Sequence, residues 1–188
     1  MEQQKELTYL NPSEVSTLLD GIPRTRDKVL LSLLYELGCS LRELVNIRVR
    51  DVSFEEHGIA IPGSHTKRCE RFCLVSSRTL DLLRSYLDEE NLLKKRLSYI
   101  FSSSHGGHMT VRRITQLIHN ILNDAGFEDR ANPQVLKYSH IINAYQANVP
   151  ISAIQKQVGL TKHRLVSILL EVDTEAGIEH YEKFLAHE

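Results

Sequence analysis

Two rhythms of apolar and polar positions run along this 188-residue chain. The commoner one places apolar residues three and four apart, the spacing of a single helix face. Asn11-Pro12-Ser13-Glu14 opens the first such stretch. Asn11 suits a cap, Pro12 the first helical position, and Glu14 the carboxylate place of a capping box. Val15, Leu18 and Leu19 then form its stripe. After Pro23, residues 25–37 predict a second helix in which Val29, Leu30, Leu33, Leu34 and Leu37 make a broad buried face; Gly38 ends it. A short helix is predicted at 41–47. The rhythm then changes to period two at 52–54 and 58–62, with polar Glu55-Glu56-His57 at the turn, and again at 71–75 after the basic loop His65-Thr66-Lys67-Arg68. From Ser77 helical spacing returns, predicting helices at 77–87, 91–96, 110–125, 133–147, 151–158, 161–171 and 174–186, with a short strand at 99–101 before a loop at 102–108. The predicted fold is mainly α with a small antiparallel β-sheet.

Composition narrows the classes. At 41% hydrophobic and 25% charged, a chain of this length can bury a sizeable core. Trp is absent and aromatics are 6%, which disfavours a platform for stacking unpaired bases. The longest nearly apolar run, Val29 to Tyr35, is too short to cross a bilayer, and the N-terminus lacks a signal-peptide pattern. An intracellular, cytoplasmic protein without a membrane partner is expected, nucleoid-associated if it binds DNA. Cys39, Cys69 and Cys73 are an odd set, and in a strand Cys69 and Cys73 stand about 13 Å apart, too far to bridge; all three are expected reduced.

The net charge of −1 by itself disfavours a strong nucleic-acid binder. Its distribution changes that picture. Residues 91–170 carry 10 basic and 3 acidic groups, a net +7, between a stretch at −3 and a C-terminal segment 171–188 at −5. This is compatible with one positive face, and equally with the acidic tail folding onto it.

Four segments resemble a known family. Tyr9-Leu10-Asn11-Pro12-Ser13-Glu14-Val15 is similar to the domain opening of tyrosine recombinases, also called phage integrases. Leu33 to Leu44, followed by Asp51-Val52, resembles their first signature helix pair. Phe101-Ser102-Ser103 through Ala125-Gly126-Phe127 resembles their central strand, loop and helix. Asn132-Pro133-Gln134-Val135-Leu136-Lys137 and Ile154-Gln155-Lys156-Gln157-Val158-Gly159 resemble the second signature region. The likeness runs from Tyr9 to about Leu170. It implies an N-terminal tail (1–8), a catalytic-like domain (9–172) and an acidic C-terminal helix (173–188) that docks in cis or in trans.

The family's chemistry uses two arginines to hold the scissile phosphate, a lysine and histidines to move protons, and a tyrosine that forms a phosphotyrosine link. Carried over one residue at a time, the first arginine falls on Ser40. Arg42 lies two helical positions on, about 200° around the axis, and is expected to face elsewhere. The lysine falls on His65 or Lys67. The H-x-x-R box falls on Gln134 and Lys137. The next histidine falls on Leu160, after Gly159, and the tyrosine on Leu169. Read this way, no catalytic residues are expected, no cofactor is implied, and the chain reads as a non-enzymatic, integrase-like protein. It would bind double-stranded DNA or a recombination complex through a basic face formed by Lys67, Arg68, Arg71, Arg112, Arg113, Lys137, Lys162 and Arg164.

Two rivals stand beside that reading. One is a protein-interaction scaffold without DNA binding, favoured by the charge of −1 and the acidic tail. The other is an active strand-transferase with a rearranged site using Tyr181 and Lys67. The expected role of Tyr181, beside Glu179 and Glu182, is packing on an amphipathic C-terminal helix that meets a second copy or a recombinase partner. His105-Gly106-Gly107-His108 predicts a surface loop rather than a metal site. His140 and His163 are substitutes for the family histidines or simply surface groups. With about eight residues before the domain opening, the chain is expected to form half of a DNA clamp, and to bind weakly unless it oligomerises.

Overall fold

The computed structural model describes residues 7–62, 70–103 and 107–172. Helix α1 (Pro12–Asp20) begins as the sequence predicts: the Asn11 side chain accepts from Glu14 N at 3.0 Å and Glu14 Oε2 accepts from Asn11 N at 2.8 Å. Helix α2 (Thr25–Leu37) is the hub. Its Val29, Leu30, Leu31, Leu33, Leu34 and Leu37 are all buried, so it is apolar around most of its circumference rather than along one stripe. It packs on α4 (Ser77–Glu89) and on α6 (Gln134–Gln146). Helix α3 (Leu41–Asn46) leads into a three-stranded antiparallel sheet of β1 (Val52–Ser53), β2 (Gly58–Ile61) and β3 (Arg71–Leu74), in that order. Ile59 pairs with Cys73, and both are fully buried.

The second half is helical: α5 (Val111–Asp124), α6, α7 (Ile151–Val158) and α8 (Lys162–Val172). Ile141, Ile154, Val158, Leu165, Ile168 and Leu169 form a smaller core between α6, α7 and α8. The N-terminal segment is tied to α6 by Leu10 N donating to Ser139 Oγ at 2.8 Å and by Asn143 Nδ2 donating to Leu10 O at 3.1 Å.

Two predicted elements differ. Residues 91–96 form turns, not a helix: Asn91 adopts φ 54°, which reverses the chain after α4, and only Leu92 finds a buried place. Residues 99–101 form no strand; Arg48 and Tyr99 make a single bridge, and Ile100 N donates to Ile47 O at 3.0 Å. The contact is too short to extend into the sheet. Cys39 and Cys73 are free thiols, and Cys69 lies outside the described residues. Among the described residues no helix is long and apolar enough to cross a membrane.

Candidate nucleic-acid interface

Helix α2 stops at Gly38, which adopts φ 53°. A side chain there would meet Val158 Cγ1 at 2.5 Å, so glycine is needed both for the backbone turn and for the approach of α7. The turn delivers Ser40 as the cap of α3. Ser40 N and Oγ both donate to Glu43 Oε2 at 2.7 Å.

Glu43 in turn anchors a buried polar layer. Its Oε1 accepts from Arg71 Nη1 at 2.7 Å, with side chains 3% and 10% exposed. Arg71 Nε donates to Gln157 O at 3.0 Å. The guanidinium lies across Gly159, where an added Cβ would sit 2.7 Å from Nη1. Burial alone would push the Glu43 carboxyl up; the hydrogen bonds from Arg71 and Ser40 outweigh it and hold it down at about 2, from an ordinary 4.5. Burial also pushes the neighbouring Cys39 thiol up to about 12, with the Glu43 charge adding to it, so this cysteine is an inert, protonated thiol.

Above this layer lies a cavity of about 540 Å³. It gathers Ser40, Gln134, Lys137 and Leu160, four positions that the family comparison by residue had drawn from three separate stretches of sequence. Lys137 is 9% exposed, and its Nζ donates to Val158 O at 3.1 Å while the side chain lines the cavity. Arg164, exposed on α8, lines it as well. Among the described lining residues there is no carboxylate.

Several expectations change here. Arg42 lines the same cavity as Ser40 rather than facing away. The 200° argument fails because Ser40 is the extended cap, at φ −81° and ψ 158°, and not a helical residue. Arg71 leaves the proposed DNA face: it is committed to Glu43 and Gln157 inside the protein. Leu169 is 6% exposed in the α6–α7–α8 core and is not among the residues lining the cavity. His140 is no stand-in for a cavity histidine. It opens onto a different, more apolar depression with Tyr35, Leu74 and Val149, and packs edge-on against Tyr35 with ring centroids 5.9 Å apart. Burial, and then the nearby Lys137 charge, lower its pKa to about 4.

Arg112, Arg113, Lys162 and His163 are exposed, at the starts of α5 and α8, and are not among the residues lining the cavity. His108 is turned onto Tyr99 and the Met109 carbonyl. No group of three or more potential metal ligands occurs among the described residues. His65, Lys67, Arg68, His105, Tyr181 and the predicted C-terminal helix lie outside the described residues. The contribution of Arg42 was missed by the sequence reading, as was a second basic cavity, whose one sequence signal is the run Lys94-Lys95-Arg96.

With this geometry in hand, comparison with known proteins places the chain. The phage integrase family model matches residues 8–175, and the chain belongs to that family. A tyrosine recombinase of Pseudothermotoga lettingae is 26% identical over 178 residues, covering 94% of this chain and 60% of that protein. Tyrosine recombinase XerC of Leptospira interrogans is 25% identical over 186 residues, covering 99% of this chain and 57% of that protein. The chain thus spans a little over half the length of these relatives. Among solved structures, XerA recombinase superposes with a TM-score of 0.80 at 23% identity, over 94% of this chain and 65% of that one. XerH recombinase bound to palindromic difH substrate superposes at 0.78 and 21% identity, over 97% of this chain and 54% of that one. These likenesses show the recombinase catalytic-domain fold. The relatives also overturn one expectation. Reading the chain as a non-enzyme from its residue replacements does not stand, because the curated relatives it matches are named tyrosine recombinases, which are enzymes.

Proposed function

We propose that this chain engages double-stranded DNA, and that the cavity between α3, α6 and α8 receives a backbone phosphate. The observation that carries this is the lining: Arg42, Lys137 and Arg164 converge on one concavity with no carboxylate among the described residues around it. A guanidinium presents paired N–H donors that match phosphate oxygens, and a lysine adds a compact charge. Such contacts fix a protein on the duplex without reading its sequence. The buried Glu43 does not cancel them, because its charge is already paired with Arg71. Arg112, Arg113 and Lys162 are further exposed basic groups, at the starts of α5 and α8.

The relatives support the reading, since structures with this fold include XerH on its difH substrate and the Tn1549 integrase on transposon-end DNA. By this account the chain acts in DNA recombination or integration as one part of a larger recombinase assembly.

The test is fluorescence anisotropy of a labelled generic duplex, titrated with the protein at about 50 and about 200 mM salt. Binding that weakens steeply with salt supports phosphate neutralisation, each contact contributing about 0.9 to the logarithmic slope. No binding at the lower salt would overturn the proposal and favour a scaffold that meets other proteins.

A further inference from the structure

After α4 the chain turns through Lys94-Lys95-Arg96 and brings these side chains, with Arg48, around a cavity of about 730 Å³. Arg48 is held in place: Nη1 donates to Leu97 O at 2.6 Å and Nη2 to Tyr99 Oη at 2.9 Å. Lys94, Lys95 and Arg96 are exposed, and none of them is in an ion pair among the described residues. No carboxylate is among the described residues lining the cavity. Asp51, three residues after Arg48, is occupied: it accepts from Arg48 N at 2.8 Å and pairs with Arg50 at 3.6 Å. Asp88, Glu89 and Glu90, at the end of α4, are not among the lining residues. Four cations on one concave surface repel one another, and a bound polyanion relieves that repulsion.

The nearness of the two basic cavities along the chain points to a duplex as that polyanion. Helix α3 connects the two basic cavities. Ser40 and Arg42 at its N-terminal end line the first, and Arg48, two residues past its C-terminal end, lines the second. Six helical residues span about 9 Å. Phosphates advance about 3.4 Å per nucleotide along one strand of a duplex. A few nucleotides of one DNA segment therefore cover the distance along α3 between the two.

We propose that the Arg48–Lys94–Lys95–Arg96 cavity is a second phosphate-binding point, gripping the backbone of the same duplex that enters the first cavity. It rests on the DNA-binding reading above.

The experiment compares the whole chain with two variants, K94A/K95A/R96A and R42A/R164A, in duplex binding across a salt series. Thermal melts accompany it to show that both fold as the wild type does. The expected result for the triple variant is a dissociation constant about tenfold or more higher at about 50 mM salt, with the logarithmic slope reduced by about two to three. A triple variant with wild-type affinity and slope, beside a weakened R42A/R164A, would overturn the second contact while leaving the first. Absence of duplex binding by the wild type at low salt is the separate failure of the underlying reading, and takes the second contact with it. Calorimetry with inorganic tripolyphosphate supplies a third arm. Saturable binding that the triple variant loses, with duplex affinity unchanged, would assign the cavity to small polyphosphates and overturn the proposal.

Discussion

Beside the first cavity the chain builds two walls: one, joining α3 to β3, buries an ion pair, and the other, in the core between α6, α7 and α8, buries a cluster of aliphatic side chains. Glu43 and Arg71 are 2.7 Å apart with side chains 3% and 10% exposed. Leu165, Ile168 and Leu169 in the second are 0%, 1% and 6% exposed. The difference separates charge that builds the site from charge that serves it. Arg71 fixes α3 against α7 by holding Glu43 and the Gln157 carbonyl, so its charge is spent inside the fold. Arg42 and Arg164, with no role in the core, are the guanidinium groups left facing the cavity. A basic residue in a signature region is thus not by that fact a DNA contact.

The largest expected effect comes from breaking the polar wall. Glu43→Ala leaves Arg71 buried without its partner and should cost about 3–5 kcal/mol. Replacing Glu43 and Arg71 together with apolar residues of similar volume should cost much less. Urea denaturation of the three proteins checks both, and a loss below about 1 kcal/mol in Glu43→Ala would dissolve the distinction between the walls.

The apolar wall should respond next. Leu165→Ala removes a fully buried side chain and should cost about 2–5 kcal/mol, read from the same denaturation midpoints. Unlike Glu43→Ala, its cost should not change with pH.

Protonation gives a smaller and more graded contrast. His140 titrates near 4 in the fold against an ordinary 6.5, so the unfolded chain binds more protons between those values. Stability should fall as pH drops from about 6.5 to about 4, and His140→Phe should flatten that window. Glu43 acts lower: its stabilisation is complete above about 4.5 and fades as pH falls towards about 2. Melting temperatures measured across both windows separate the two groups.

The smallest effect on stability is expected at the cavity's own guanidiniums. Arg42→Ala and Arg164→Ala should each change folding by less than about 0.5 kcal/mol, yet each should lower the salt slope of duplex binding by about one. Equal losses in stability and binding would mean these arginines belong to the structural wall after all.

Much of the fold was legible in the order of residues. Capping chemistry marks the start of α1 within a residue, because a cap and its N3 carboxylate are three positions apart and act locally. The stripe in 25–37 gives α2. Residues 91–96 misled because Leu92, Leu93 and Leu97 mimic a helical stripe, while Asn91 reverses the chain and leaves Leu93 and Leu97 37% and 65% exposed. The site was legible only in part: Ser40, Gln134, Lys137 and Leu160 could be paired with family positions one by one, and they do meet at one cavity.

The sequence by itself determined the element order, the family likeness and the identity of the residue at each of those positions, since these reside in local pattern and side-chain type. Only the tertiary structure decided which charges are consumed and which are presented. Arg71 finds its partners 28 and 86 residues away, and Arg42 comes to share a cavity with Arg164 of α8. Pairing and burial arise between segments brought together by the core, and a periodicity of two or of 3.6 carries no record of which segments those are.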